Sequence, residues 1–311
     1  MHIRISFLAA LACCLLTTVS CSDDDDWTQS LKRNDNANTD TEKSAGRLEM
    51  PHMDGALFYA PHYVAYEGRA VMNLAVEWSP LFRHSAWVAF SWDASTSQDN
   101  VKRGGKWKWD PEIPDSLGSV KEADHTGDGY DKGHLCASED RTYCKDANDQ
   151  TFYYSNISPQ ISSFNQKFWA RLEAKAQSWG RMTQTGVYDT VYVAKGGNLR
   201  LLLTNFTGTA KGADGIFPYT DQDGFSKGGM AVPAYYFMAL LARKDDSYQA
   251  IAFYVPHTET LPVSPTAADF QRYAVSIDEL ERLTGLDFFC NLPDVIEDSV
   301  EKTCNTALWN W

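Results

Sequence analysis

Apolar and polar positions along the chain alternate in short runs over most of its length, with one long stretch of helical period near the middle. His62–Tyr66, Ser85–Trp92, Val187–Ala194, Pro233–Leu241 and Ala250–Val255 are rich in aromatic and β-branched residues, which predicts strands. The last two flank the charged Arg243–Ser247 turn and predict a hairpin. Thr151 to Ser155, around Phe152-Tyr153-Tyr154, reads as a short aromatic strand, followed by an irregular segment that Pro159 ends. From Ser162 or Ser163, either of which can cap free amides, Phe164, Phe168, Leu172 and Ala176 recur every four residues and predict a helix with that stripe inward. Asn165, Trp169 and Glu173 recur on the adjacent face, so Asn165 and Glu173 stand about two turns apart along one side. A second helix is expected after Ser276, where Ser276 and Glu279, three residues on, suggest a capping box, with Gly285 as its stop. Residues 109–129 and 199–227 carry the Gly, Pro, Thr and Asp of long loops. Strands, then helix, then strands imply an α+β fold, with a mainly antiparallel β-sheet core, flanking helices and no domain boundary after residue 50.

The first fifty residues follow other rules. A basic start at His2 and Arg4, an apolar run from Ile5 to Leu16 and small polar residues after it predict a signal peptide over 1–20, too short in its apolar part to span a bilayer. Thr18-Val19-Ser20-Cys21 resembles the lipobox of bacterial lipoproteins, with Thr18 where leucine is usual, so Cys21 is the expected lipidation site. The run Asp23–Asp26 looks like an export signal to the outer cell surface, against the plainer reading of a solvated tether. Residues 21–50 are expected to be a lipidated cysteine and a flexible acidic and polar tether, leaving 51–311 as the folded domain. The implied location is an outer-membrane lipoprotein facing the cell surface or the periplasm.

In a chain of 311 residues, 43% hydrophobic and 13% aromatic content implies a well-packed body. A net charge of -13 argues against unselective coating of nucleic acid, although Lys102, Arg103, Lys106 and Lys108 could still line a local basic groove. Of the seven cysteines, Cys136, Cys144, Cys290 and Cys304 remain after the leader and Cys21. Export to an oxidising compartment and short spacing favour disulfides Cys136–Cys144 and Cys290–Cys304 over a zinc site using His134, Cys136 and Cys144.

Polar residues embedded in apolar sequence mark the candidate chemistry: Asp131, Lys132 and His134, then Asn156, then Asn165 and Glu173. Together they could supply a base, a cation and a hard-metal ligand, a set suited to phosphodiester hydrolysis. A lone histidine is more often structural, and spacing does not exclude that. Asp131-Lys132-Gly133-His134, Ser155-Asn156-Ile157-Ser158-Pro159-Gln160 and Asn165 through Glu173 closely resemble the signature of the DNA/RNA non-specific endonucleases, the ββα-metal family that includes mitochondrial endonuclease G. The resemblance implies an embedded ββα-metal motif and a Mg²⁺-dependent nuclease, with Mn²⁺ as a second candidate ion, that contacts DNA and RNA through the phosphate backbone. It implies His134 as general base, Asn165 as the metal ligand, Glu173 holding metal-bound waters, Asn156 placing water or phosphate, and Asp131 bracing the histidine loop. Turn-forming roles remain equally open for Asn156 and Asp131. Lys132 stands where the family usually has arginine, and Arg103, rather than Lys106, is the expected counterpart of an upstream arginine. A catalytically inactive nucleic-acid-binding lipoprotein is the alternative reading, and the oligomeric state stays open between monomer and homodimer.

Overall fold

The computed structural model describes residues 32–39 and 44–311. Seven antiparallel strands form the main sheet in the order β1-β2-β3-β6-β7-β8-β9: β1 (Phe58–Tyr66), β2 (Arg69–Ser79), β3 (His84–Trp92), β6 (Thr190–Gly197), β7 (Tyr235–Lys244), β8 (Ser247–Pro256) and β9 (Ala274–Val275). The sheet is buried on both faces because alternate residues serve two cores. On one face Leu74, Val76, Val88, Phe90 and Val193 meet Phe164, Phe168, Leu172, Ala176 and Trp179 of the central helix. On the other Ala75, Trp87, Ala89 and Phe237 meet Ile277, Leu280, Phe288 and Leu292. The predicted hairpin is β7–β8, closed by Lys244 opposite Ser247.

Two short strands inserted between β3 and β6 carry the site. β4 (Asp131–His134) pairs with β5 (Ile157–Gln160), placing His134 opposite Ile157 and Asp131 opposite Gln160. Gly133 is needed there, since a Cβ would come within 2.2 Å of the Gln160 side chain. The helix then runs through an i→i+5 bonded stretch (Phe164–Trp169) into α2 (Ala170–Arg181), the short α1 (Lys145–Gln150) preceding β5. The α+β class and antiparallel core are as expected.

Four expectations are corrected. Phe152–Tyr154 is not a strand: Tyr153 makes one bridge to Lys108, and the ladder lies just beyond, in the segment that includes Pro159. Pro159 fits because a two-stranded ribbon leaves one edge of each strand unpaired. No serine hydroxyl caps the central helix: the Ser162 hydroxyl donates to Asp131 instead. Ser276 does accept from the Glu279 amide, at 3.1 Å, but the Glu279 carboxylate turns to Arg282 rather than closing a box.

Within the expected tether of 21–50, residues 32–39 and 44–50 are held to the body. The Asn34 side chain donates to the Cys290 carbonyl at 2.8 Å and Asn38 to the Pro51 carbonyl at 3.0 Å, while Ala45 and Met50 are fully buried. Part of the polar segment expected to be a flexible tether thus satisfies backbone carbonyls of the body. The leader 1–20 and Cys21 lie outside the described residues. Among the described residues, Cys136, Cys144, Cys290 and Cys304 form no disulfide. Closeness in sequence does not bring their sulfurs together: Cys136 is buried beneath β4, Cys144 packs beside Val64 and Tyr143, Cys290 donates to the Met50 carbonyl, and Cys304 is exposed.

Candidate active site

A cleft of about 190 Å³ is lined by Arg103, Lys132, His134, Ser138, Glu139, Asn165, Gln166 and Glu173, among others. Five of the residues singled out from sequence therefore meet at one place. His134 leaves β4 with its ring between Trp107 and Phe152, both 5.0 Å away between ring centres. Its Nε2 is buried and has no hydrogen-bond partner among the described residues. Burial first, then the cations Arg103 and Lys195, pushes its pKa down to about 3, so the ring is neutral at physiological pH.

Lys132 and Arg103 are steadied on aromatic faces. The Lys132 ammonium lies 5.5 Å from the Trp107 ring centre and 5.6 Å from that of Tyr154. The Arg103 guanidinium lies 5.4 Å from the Phe152 ring centre and reaches the cleft, which Lys106 does not line. Gly105 permits this path, because a Cβ there would come within 2.0 Å of the Phe152 ring.

Asp131 accepts from Asn165 Nδ2 at 2.9 Å, from Gln166 Nε2 at 2.8 Å and from the Ser162 hydroxyl. These bonds tie the start of the histidine strand β4 to the start of the helix. The Asn165 amide is thereby turned so that its oxygen takes no hydrogen bond from the described residues while the side chain lines the cleft. A neutral hard oxygen presented this way fits a Mg²⁺ ion that keeps most of its waters. Eight residues slightly exceed two α-turns of about 3.6 residues; the wider i→i+5 turn absorbs the excess and lets Asn165 and Glu173 face one cleft.

Glu173, 8% exposed, accepts a hydrogen bond from Lys195 on β6, and Lys195 reaches Asp140 at 3.4 Å. Burial and then the neighbouring Asp140 outweigh Lys195 and push the Glu173 pKa up to about 7. Burial opposes the charge on Lys195, but Asp140 and Glu173 together hold its pKa above the ordinary value. Asp140 is further tied to the Ala137 amide at 2.8 Å and to Gln177 Nε2 at 2.9 Å.

The family model described as DNA/RNA non-specific endonuclease matches residues 56–295. The chain belongs to that family. Its members hydrolyse phosphodiester bonds, and several named nucleases resemble this endonuclease-family chain. Nuclease C1 of Cunninghamella echinulata var. echinulata is 32% identical over 202 residues, which cover 64% of this chain and 73% of that protein. Human mitochondrial endonuclease G is 32% identical over 172 residues, covering 55% of this chain and 52% of that protein. Mitochondrial nuclease EXOG of Xenopus laevis is 29% identical over 235 residues, covering 73% and 59%. The match thus spans little more than half of the mitochondrial relatives. Among solved structures, that of an EndoG/EndoGI complex aligns with TM-score 0.55 at 23% identity, over 75% of this chain and 87% of that one, and shares the fold.

One predicted member of the set is not in the cleft. Asn156 is fully buried; its Oδ1 accepts from the Cys136 amide at 2.8 Å, and its Nδ2 donates to the carbonyls of Cys136 and Thr151 at 2.8 and 2.7 Å. With these backbone bonds it has no reach to a phosphate, and it joins β4 to β5. Sequence reasoning missed Lys195 and Asp140. The available signal was a lysine in the apolar strand Val191-Tyr192-Val193-Ala194-Lys195, whose burial requires an acidic partner.

Proposed function

We propose that this chain is a Mg²⁺-dependent nuclease that cleaves DNA and RNA with little sequence preference, and that His134 is its general base. The observation that carries the reading is the single cleft in which a neutral buried imidazole, the Asn165 amide oxygen, Glu173 and the cations Arg103 and Lys132 converge. His134, uncharged near pH 7, takes a proton from the attacking water. Arg103 and Lys132 bind phosphate oxygens, and such contacts carry no base code. Lys132 engages as a point charge, without the planar fork of arginine. Glu173, held by Lys195, orients water at the cleft. Mg²⁺, held by Asn165, or Mn²⁺ in its place, would offset negative charge on the phosphate in the transition state.

The test is cleavage of plasmid DNA and of RNA with Mg²⁺ or with chelator, by the wild type and by His134→Ala. Cleavage of both polymers that needs the metal and is lost in the variant supports the reading. Binding without cleavage by the wild type would instead favour an inactive nucleic-acid-binding protein. Export and acylation at Cys21 belong to the same proposal and rest on the leader sequence alone; incorporation of labelled palmitate that Cys21→Ala abolishes is the expected result.

A further inference from the structure

A second cavity, of about 560 Å³, lies on the other face of the sheet between residues 33–36, α4 (Ile277–Thr284), Asp287 and α5 (Asp294–Glu301). Its lining includes eight carboxylates, Asp35, Asp278, Glu281, Asp287, Asp294, Glu297, Asp298 and Glu301, against the single cation Arg33. Arg33 is already paired with Asp35 and lies 3.6 Å from Asp294. One ligand oxygen from each of Asp278, Glu281 and Glu301 falls within 4.8 Å of the others. Acidic surfaces are common, and that alone identifies no ligand. Two buried oxygens do: Glu301, 6% exposed, has its Oε1 sealed from water with no hydrogen-bond donor among the described residues, and the Asn36 Oδ1 on the same cavity is likewise buried and unpartnered. The remaining Asn36 contacts, from Nδ2 to Glu297 at 2.9 Å and to Asp287 at 3.2 Å, keep that amide in place.

We propose that Asp278, Glu281 and Glu301, with the Asn36 amide oxygen, bind Ca²⁺ at a site separate from the nuclease cleft that fastens residues 33–36 to the two C-terminal helices. Ca²⁺ takes six to eight oxygens at about 2.3–2.6 Å, so oxygens of one shell lie up to about 5 Å apart, as those of the three carboxylates do. Mg²⁺ fits less well, since it dehydrates reluctantly and is seldom held by an all-protein cage of three carboxylates. The carboxylates of Asp278, Glu281 and Glu301 repel one another at this spacing. A bound dication removes that repulsion. The competing state is a Glu301 that keeps its proton and needs no ion.

The measurement is thermal unfolding of the full chain at pH 8 with chelator, with about 10 mM Ca²⁺, and with Mg²⁺ at the same concentration, beside Glu301→Gln, Glu281→Gln and Asn165→Ala. For a site of sub-millimolar affinity, Ca²⁺ raises the wild-type Tm by about 5 °C. Either glutamine variant loses that rise while still cleaving DNA with Mg²⁺, and Asn165→Ala retains it. Ca²⁺ titration calorimetry on the same proteins covers a variant too unstable to melt cleanly: one strong site in the wild type and in Asn165→Ala, none in Glu301→Gln. A wild-type Tm that ignores Ca²⁺, or a Ca²⁺ rise undiminished in both glutamine variants, overturns the proposal.

Discussion

Replacing Lys195 with methionine keeps most of the side-chain volume and removes the one described cation that Glu173 and Asp140 share. The two acids are affected unequally. Asp140 retains the Ala137 amide and Gln177 as donors, whereas Glu173, 8% exposed, loses the only hydrogen bond described for it. Stranding half of a buried pair costs about 3–5 kcal/mol, and the retained donors of Asp140 place the expectation at the low end, about 3 kcal/mol once the pH exceeds the raised Glu173 pKa of the variant. In a domain of this size that is a Tm drop of about 6–12 °C. The pH dependence has a definite sign. Glu173 has a folded-state pKa raised to about 7, above its unfolded value near 4.5, and loss of Lys195 raises it further. Wild type and variant share the cost that grows from about pH 4.5, and the gap between them opens only as pH rises above about 7. Calorimetry should show nearly equal wild-type and variant Tm values at pH 5, a gap opening at pH 8 and its full size by about pH 9 to 10, with kcat reduced more than KM changes. A gap of the same size at the two ends of this range, or no gap at either, would refute the claim that Lys195 acts by holding the Glu173 carboxylate.

Three further outcomes follow from the same geometry. The acid limb of kcat/KM should lie near pH 7 and follow Glu173, since His134 is pushed down to about 3; in Glu173→Gln the slower residual activity should stay level to below pH 5, and a limb persisting near 6.5 would return the titration to the histidine. Asp131→Ala frees the Asn165 amide to rotate, so the Mg²⁺ concentration for half-maximal cleavage should rise about 10–100-fold, read from a metal titration of initial rate. Asn156→Ala leaves the Cys136 amide and two carbonyls without partners, which should cost about 3 kcal/mol or more in urea unfolding, while the residual folded protein keeps its wild-type Mg²⁺ midpoint.

The parts of the fold carried by periodicity were legible before the structure. The stripe Phe164, Phe168, Leu172, Ala176 is buried throughout, and the β7–β8 hairpin turns within the predicted charged loop. Side chains whose partners are distant in sequence were not legible. Lys195 meets Glu173 from a strand 22 residues further on, and only the packing of the helix on the sheet brings the two together. Asn156 has the same composition signal whether it binds phosphate or ties two strands together; its buried backbone partners decide that. Asn34, Asn36 and Asn38 look like solvated linker because a polar run carries no record of the carbonyls and carboxylates it will meet. Cysteine spacing misled for a related reason, since the seven residues of chain between Cys136 and Cys144 pass through a short 3₁₀ turn into a separate environment.

Single-turnover cleavage of a DNA duplex across a Mg²⁺ titration, in the wild type, His134→Ala and Asn165→Ala, tests the central claim most directly. The account predicts that His134→Ala lowers the saturating rate by about 10²–10⁴-fold and leaves the metal midpoint in place, whereas Asn165→Ala moves the midpoint to higher Mg²⁺. A His134→Ala protein that cuts at the wild-type rate, or an Asn165→Ala protein with an unmoved midpoint, would contradict it.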